Sequence, residues 1–120
     1  MNREFHVKVL RMEVHMIFQL GTPLLDTCVL AVLKEEDAYG YTLTKRIQEV
    51  FDISESTLYP ILRRLQKEGL VSTYDQPFNG RNRRYYTITQ EGRMRFRYYK
   101  EEWISYRDKI EELIGGKIDE

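Results

Sequence analysis

The chain has 120 residues, 42% of them hydrophobic and 32% charged, with 19 basic residues against 19 acidic ones. This composition predicts a single soluble domain with one small core, and no apolar run approaches the roughly 20 residues that a membrane-spanning helix needs. No stretch resembles a secretory signal, so we expect a cytoplasmic protein.

Residues 1–15, MNREFHVKVLRMEVH, show no clear period and are interpreted as an N-terminal extension. Either translation starts naturally at Met16, with the extension not native or disordered, or the extension is genuine and packs on a dimer. The first alternative is supported by the codons of residues 12–14, which can form a ribosome-binding sequence just upstream of Met16. His6 and His15 are the only histidines and lack partners at metal-ligand spacing, so no metal site is predicted.

A first helix is predicted over Thr22 to Leu33, with Thr22 as N-cap and Pro23 at the first helical position. The only cysteine, Cys28, excludes an intramolecular disulfide, and its apolar surroundings favour a core residue over a redox sensor. The expected apolar face is formed by Leu25, Cys28, Val29, Val32 and Leu33.

A second helix is expected to begin at Thr42 or Thr44 and to run to Phe51, after a tight turn at Gly40. Leu43 and Ile47 face inward, together with Val50 or Phe51. Lys45 and Arg46 lie on the exposed side, where they either neutralise phosphates or are simply solvated.

The third predicted helix starts after Ser54, its N-cap, and stops at Gly69, where a C-terminal glycine belongs. Pro60 lacks an amide proton, so we expect an irregular or bent first turn. The buried face consists of Leu58, Ile61, Leu62 and Leu65. The other face carries Ser56, Thr57, Tyr59, Arg63, Arg64 and Lys67.

A β-hairpin is predicted next, with strands over Leu70 to Gln76 and Arg84 to Ile88 around the turn segment PFNGRN. The helix, the hairpin and the basic loop indicate a winged helix. The fold class is therefore mainly α with a small β-hairpin: a winged helix-turn-helix plus a long C-terminal dimerisation helix. Six arginines and one acid lie between Arg81 and Arg97, so one region is basic although the net charge is zero.

The final helix starts at Thr89 and is expected to end at Gly115 and Gly116. Its apolar residues recur at spacings of three and four, which is a heptad pattern typical of a helix that pairs with another helix. A winged helix of this size has no internal partner for so long a stripe, so we predict a homodimer. The stripe comprises Phe96, Tyr99, Trp103, Tyr106, Ile110 and Leu113.

Three segments, AYGYTLTKRI, STLYPILRRLQKEGLV and GRNRRYYTITQEG, resemble the PadR family of bacterial transcription regulators. The resemblance covers Phe18 to about Leu113, and its short C-terminal region is similar to the compact branch of the family. It implies binding to double-stranded operator DNA, which tends to be an inverted repeat, and participation of the first helix in the dimer interface. The expected organisation is an extension (1–15), a winged-helix DNA-binding domain (16–88) and a dimerisation helix with its tail (89–120).

The predicted DNA-binding residues lie on the exposed side of the second helix, on the third helix and on the hairpin. Residues near the start of the third helix read base edges in the major groove, and the hairpin arginines contact phosphates or a minor groove. Tyr59 contacts DNA or packs against the domain, and the arginines of a basic turn can also be merely solvated. The set is Lys45, Ser56, Thr57, Tyr59, Arg63, Arg81, Asn82, Arg83 and Arg84.

Trp103 and Tyr99 have two possible roles. Aromatic residues at these positions fill a dimer interface; alternatively, by resemblance to multidrug-sensing family members, they stack a planar hydrophobic ligand.

The sequence thus predicts a homodimeric, sequence-specific repressor with possible relief by a small hydrophobic or aromatic ligand. The alternative is a winged helix used as a protein-interaction module, which needs no basic wing. There is no Gly-rich phosphate loop and no Ser/His/Asp set, so neither an enzyme nor a cofactor is expected.

Overall fold

A computed structural model describes residues 21–115, which form four helices and a small three-stranded antiparallel sheet. The predictions for residues 1–15 and for the tail after Gly115 lie outside the described residues. The mainly helical fold with its hairpin confirms the predicted fold class. The elements are α1 (Thr22–Glu35), β1 (Ala38–Tyr39), α2 (Gly40–Gln48), α3 (Glu55–Lys67), β2 (Val71–Phe78), β3 (Arg81–Ile88) and α4 (Gln90–Ile114).

Helix α1 lies across the core and is capped differently from the prediction. Gly21 is the N-cap, since its carbonyl accepts from Leu25 N–H (3.0 Å), and Thr22 is already helical. Pro23 lies in the first turn, as predicted, where its missing N–H costs nothing. Leu30 is fully buried although it was not assigned to the buried face, whereas Cys28 is only half-buried. Burial raises the pKa of the Cys28 thiol, which keeps it protonated and unreactive and so favours a packing role.

The β1–α2 region contains a strand that the sequence did not predict. Ala38 pairs with Tyr86 and Tyr39 with Tyr85, so β1 forms one edge of a sheet of order β1-β3-β2. Helix α2 follows at once with Tyr39 as N-cap, and the predicted threonine cap was wrong, since Thr44 is buried inside the helix. Beyond α2, Phe51 packs on the core and Val50 is exposed.

Helix α3 confirms its predicted buried face of Leu58, Ile61, Leu62 and Leu65, and Ser54 is its N-cap residue. The Ser54 carbonyl accepts hydrogen bonds from both Thr57 N–H (3.1 Å) and Leu58 N–H (3.3 Å), so the first turn is tight, but Pro60 does not interrupt the helix. At the C-terminus Gly69 has φ +77°. Its N–H donates to Gln66 O and Leu70 N–H donates to Leu65 O, which is the Schellman arrangement that favours glycine here.

The hairpin is longer than predicted. Its strands are in register from Val71↔Ile88 to Phe78↔Arg81, so the loop consists of Asn79 and Gly80 alone. Both residues have positive φ, 51° and 77°, as a type I′ turn requires, and Asn-Gly is the pair that tolerates this best. The segment assigned to a turn by its Pro, Asn and Gly content therefore lies mostly in paired strands.

Helix α4 is joined to the end of α3 through Thr89. The Thr89 hydroxyl accepts from Gly92 N–H (3.0 Å), as predicted for an N-cap, and donates to Gly69 O (2.7 Å). Thr89 N–H also donates to Leu70 O (3.1 Å). The first turns of α4 pack on α1, and the helix then continues beyond the core to Ile114, which helps to give the described residues an extent of 56 × 31 × 20 Å.

Within residues 21–115, no helix has both the length and the apolar character needed to cross a bilayer. The same residues contain no group of three or more histidine, cysteine, aspartate or glutamate side chains placed to hold a metal ion.

Candidate nucleic-acid interface

The start of α2 touches the N-terminal half of α3 at Gly40. A Cβ on Gly40 would lie 3.1 Å from Cε1 and from the hydroxyl oxygen of Tyr59. Gly40 has no positive φ, so the predicted tight-turn role is wrong, and the glycine is explained by this close approach instead. Tyr59 is half-buried against the core, which is the packing role; its contact with DNA stays a prediction.

The exposed N-terminal end of α3 carries short hydroxyl side chains. Ser54 Oγ lies 2.9 Å from Ser56 Oγ and 3.0 Å from Thr57 Oγ1, and all three residues are exposed. Small polar groups at the start of a helix are suited to base edges, because this end of a recognition helix enters the major groove.

The charges of Arg63 on α3 and of Arg84 on β3 both act on Tyr86. Arg84 and Tyr86 share the sheet face that carries the buried Ile88, since alternate strand residues point the same way. Burial raises the pKa of Tyr86, whereas the charges of Arg84 and Arg63 oppose this rise. Arg84 also pairs with Asp75 across the hairpin (3.6 Å). Two predicted DNA contacts, one on α3 and one on the hairpin, thus lie near enough to Tyr86 to act on it. We define the wing as β2, β3 and their turn.

Arg64 has a different role from its neighbour. Its guanidinium binds Asp26 of α1 and, at 2.9 Å, Glu68. Asp26 is only 3% exposed. The hydrogen bond to Asp26 raises the pKa of Arg64, so the guanidinium stays charged. The sequence reasoning missed this pair; the available signal was one acidic residue within the apolar run LLDTCVLAVL.

The opposite face of the wing carries Arg83 and Arg81. The Cζ atom of Arg83 lies 3.7 Å from the ring centroid of Phe78 and 4.4 Å from that of Tyr39. Arg81 is exposed beside the turn, and so is Asn82, which points to the helix side. On α2, Lys45 Nζ lies 5.3 Å from the ring centroid of Tyr41.

The stripe on α4 is half-buried at its start and exposed towards its end. Phe96 packs on the core, with Lys34 Nζ 5.4 Å from its ring centroid, and Tyr99 is half-buried. The later members become exposed, by 41% at Trp103, 62% at Tyr106, 38% at Ile110 and 84% at Leu113.

A groove of about 500 Å³ lies between α1 and α4, and we call it the α1–α4 groove. Trp103 and Tyr99 both line it, so the structure brings together the two predicted ligand-binding residues. Tyr98 also lines the groove and was not predicted, because it falls outside the heptad pattern. The remaining lining residues are Gly21, Pro23, Leu24, Thr27, Glu102 and Tyr106.

Comparison with known proteins identifies a consistent set of relatives. The model of the transcriptional regulator PadR-like family matches residues 29–98. A transcriptional regulator of Mycobacterium tuberculosis is 30% identical over 84 residues, which is 69% of this chain and 76% of that protein. The crystal structure of a Streptococcus mutans protein has a TM-score of 0.77 at 38% identity and covers 84% of this chain and 95% of that chain.

Bacillus subtilis PadR in complex with operator DNA is similar in fold alone. Its TM-score is 0.59 at 22% identity, over 63% of this chain and 45% of that chain.

Proposed function

This chain belongs to the PadR-like family of transcriptional regulators, and we propose that it acts in the cytoplasm as a homodimeric repressor that binds operator DNA sequence-specifically. The observation that carries the proposal is the exposed N-terminal end of α3, where Ser56 and Thr57 present hydroxyl groups on a helix of suitable dimensions for the major groove. Arg63, later on the same helix, and Arg84 of the wing are exposed cations suited to phosphates. The complex of the Bacillus subtilis protein with operator DNA supports the same use of this fold.

Each group in this interface has a separate task in the proposal. Ser56 and Thr57 read base edges, because only contacts to base edges carry sequence information directly. The exposed cations contact phosphates or the minor groove and set the position on the duplex. These cations are Lys45, Arg63, Arg81, Arg83 and Arg84, and Asn82 adds a polar contact at the wing.

The dimer is supported by the open end of the α4 stripe. Leu113 and Tyr106 expose most of their apolar surface in one chain, and a second copy of α4 would cover it. A two-fold axis then presents two copies of α3 to half-sites about one DNA turn, ~34 Å, apart, which suits an inverted repeat.

The proposed function is tested with DNA from the region upstream of the gene that encodes this chain. We expect a footprint with two protected half-sites and an affinity that falls steeply as salt rises, because bound phosphates release counterions. Ile110→Asp should abolish the dimer and weaken operator binding by at least about 100-fold, since one half-site is lost together with its share of the binding energy. Sedimentation velocity and fluorescence anisotropy measure the two effects.

The matched control is Met94→Asp, a similarly drastic change on the same helix. Met94 is 62% exposed and lies outside the stripe, so this variant should remain dimeric and bind normally. Salt-independent binding, or no preference for any upstream fragment, would instead indicate a winged helix that recognises proteins.

We also propose that a small planar hydrophobic effector occupies the α1–α4 groove and relieves repression. The groove has the volume of a small-molecule site, and the Trp103 and Tyr106 rings lie 6.4 Å apart on its wall. A planar cationic dye should quench the fluorescence of Trp103, the only tryptophan, in a saturable way. Tyr98→Ala should weaken this quenching about tenfold through the loss of a stacking partner. An unchanged dye affinity in that variant would reject the groove as the binding site.

A further inference from the structure

Arg83 is held between two aromatic rings on the outer face of the sheet. Tyr39 belongs to β1 and Phe78 to β2, and these strands lie on opposite sides of β3, which carries Arg83. Both rings are diagonal neighbours of Arg83, since Tyr39 pairs with Tyr85 and Phe78 with Arg81. The distances of 4.4 and 3.7 Å from Cζ to the two centroids are well within the range of cation–π contact.

Cζ of Arg83 thus lies over both rings, and the residue remains partly exposed. The side chain of Arg83 takes part in none of the side-chain hydrogen bonds or ion pairs found within residues 21–115, in contrast to that of Arg84, which pairs with Asp75. The N–H donors of a guanidinium lie in its plane, so stacking restricts their direction without using them. A planar donor fixed in this way fits the oxygens of a phosphate.

The cations in the surroundings of Arg83 favour an anionic partner. Arg81 lies on the same strand face, two residues nearer the turn, and β1 runs antiparallel to β3, towards the wing tip. Helix α2 therefore begins beside the wing, and its Lys45 lies against Tyr41, whose ring is 6.2 Å from that of Tyr39. Arg81 and Arg83 thus lie on one face of the wing, and Lys45 belongs to the helix that begins beside it.

We propose that Tyr39 and Phe78 are positioning residues that hold Arg83 edge-on to the phosphate backbone of bound DNA. This inference rests on the proposed function and refines it. In it, the wing contacts phosphate through Arg83, and Tyr39 of β1 helps to fix the orientation of the Arg83 side chain. The rings lower the conformational entropy that Arg83 loses on binding, so their removal weakens a contact in which they take no direct part.

The test is a double-mutant cycle in the full chain, measured by fluorescence anisotropy on both operator and unrelated duplexes. Arg83→Ala should weaken binding about tenfold on both and reduce the salt slope by about one. Phe78→Leu should weaken it about fivefold with a smaller change of slope. The double variant should match Arg83→Ala alone, because without the guanidinium the ring has nothing to position.

Arg63 provides the control, since it is an exposed cation of α3 that acts on Tyr86, on the sheet face opposite Phe78. The effects of Arg63→Ala and Phe78→Leu should therefore multiply. Arg83→Lys, which keeps the charge but loses the planar fork, should fall between wild type and Arg83→Ala and should not respond to Phe78→Leu.

Two outcomes would overturn the inference: full affinity in Arg83→Ala, or Phe78→Leu and Arg83→Ala effects that multiply. Phe78 is 44% exposed, so its replacement should leave the melting temperature nearly unchanged, which separates loss of positioning from loss of folding. Because the unrelated duplex reports the phosphate contact by itself, the cycle remains informative even if the chain shows no preference for an operator.

Discussion

Replacing Arg64 with alanine is expected to lower the free energy of unfolding by about 3 kcal/mol, because it leaves the Asp26 carboxylate buried without its partner. The Asp26 side chain is only 4% exposed, so water cannot replace the guanidinium. We place the loss at the lower end of the range for broken buried pairs, since Arg64 itself is 36% exposed and partly screened. Urea unfolding followed by circular dichroism, at one fixed protein concentration, measures the change.

The neighbouring Arg63 is the control, with the same chemistry one position earlier on α3. Arg63 is exposed and makes no ion pair within the described part of the chain, so Arg63→Ala should change stability by less than about 0.5 kcal/mol. Under the proposed function, Arg63→Ala instead weakens DNA binding. Equal stability losses in the two variants would show that the Asp26–Arg64 pair does not hold α3 to α1.

A second variant isolates the ionic contribution. Replacing both members together, as Asp26→Leu with Arg64→Leu, should recover most of the loss, because a buried ion pair is often no more stabilising than well-packed apolar residues. If the double variant does not recover stability, the ion pair stabilises the fold more than apolar side chains at the same two positions do.

Gly92→Ala is expected to destabilise the protein by about 3 kcal/mol or more through a direct clash. The added Cβ would lie 2.1 Å from the Leu70 carbonyl oxygen and 2.8 Å from Cγ1 of Ile88. Leu70 O already accepts a hydrogen bond from Thr89 N–H, so backbone at the junction of α3, β3 and α4 would have to move. The higher helix propensity of alanine, about 1 kcal/mol, is too small to compensate. Thermal unfolding by circular dichroism tests this prediction.

Gly69→Ala separates this clash from backbone strain. Gly69 has φ +77° but no atom within 4 Å of an added Cβ, so its replacement should cost only about 1 kcal/mol. A Gly92→Ala variant as stable as Gly69→Ala would show that the junction accommodates a methyl group and that α4 is not fixed to the end of α3 in the way described.

Features that depend on neighbours in the chain were predictable from the sequence. The buried face of α3 follows from a spacing of three and four residues. The stop at Gly69 follows from the positive φ that glycine permits, and the cap of α4 follows from the hydroxyl of Thr89. The hairpin was also predicted from local composition. Its strands were predicted too short, because the Pro, Asn and Gly of the segment PFNGRN are typical of turns.

Tertiary structure alone decided the contacts between distant segments. Asp26 and Arg64 are 38 residues apart, β1 is too short to have a period, and the reasons for Gly40 and Gly92 lie in Tyr59 and Leu70. The same holds for Arg83, which the sequence shows only as one of several wing cations and the fold places between Tyr39 and Phe78. Local pattern determines which residues form each element, whereas the meeting of side chains depends on how those elements pack in three dimensions.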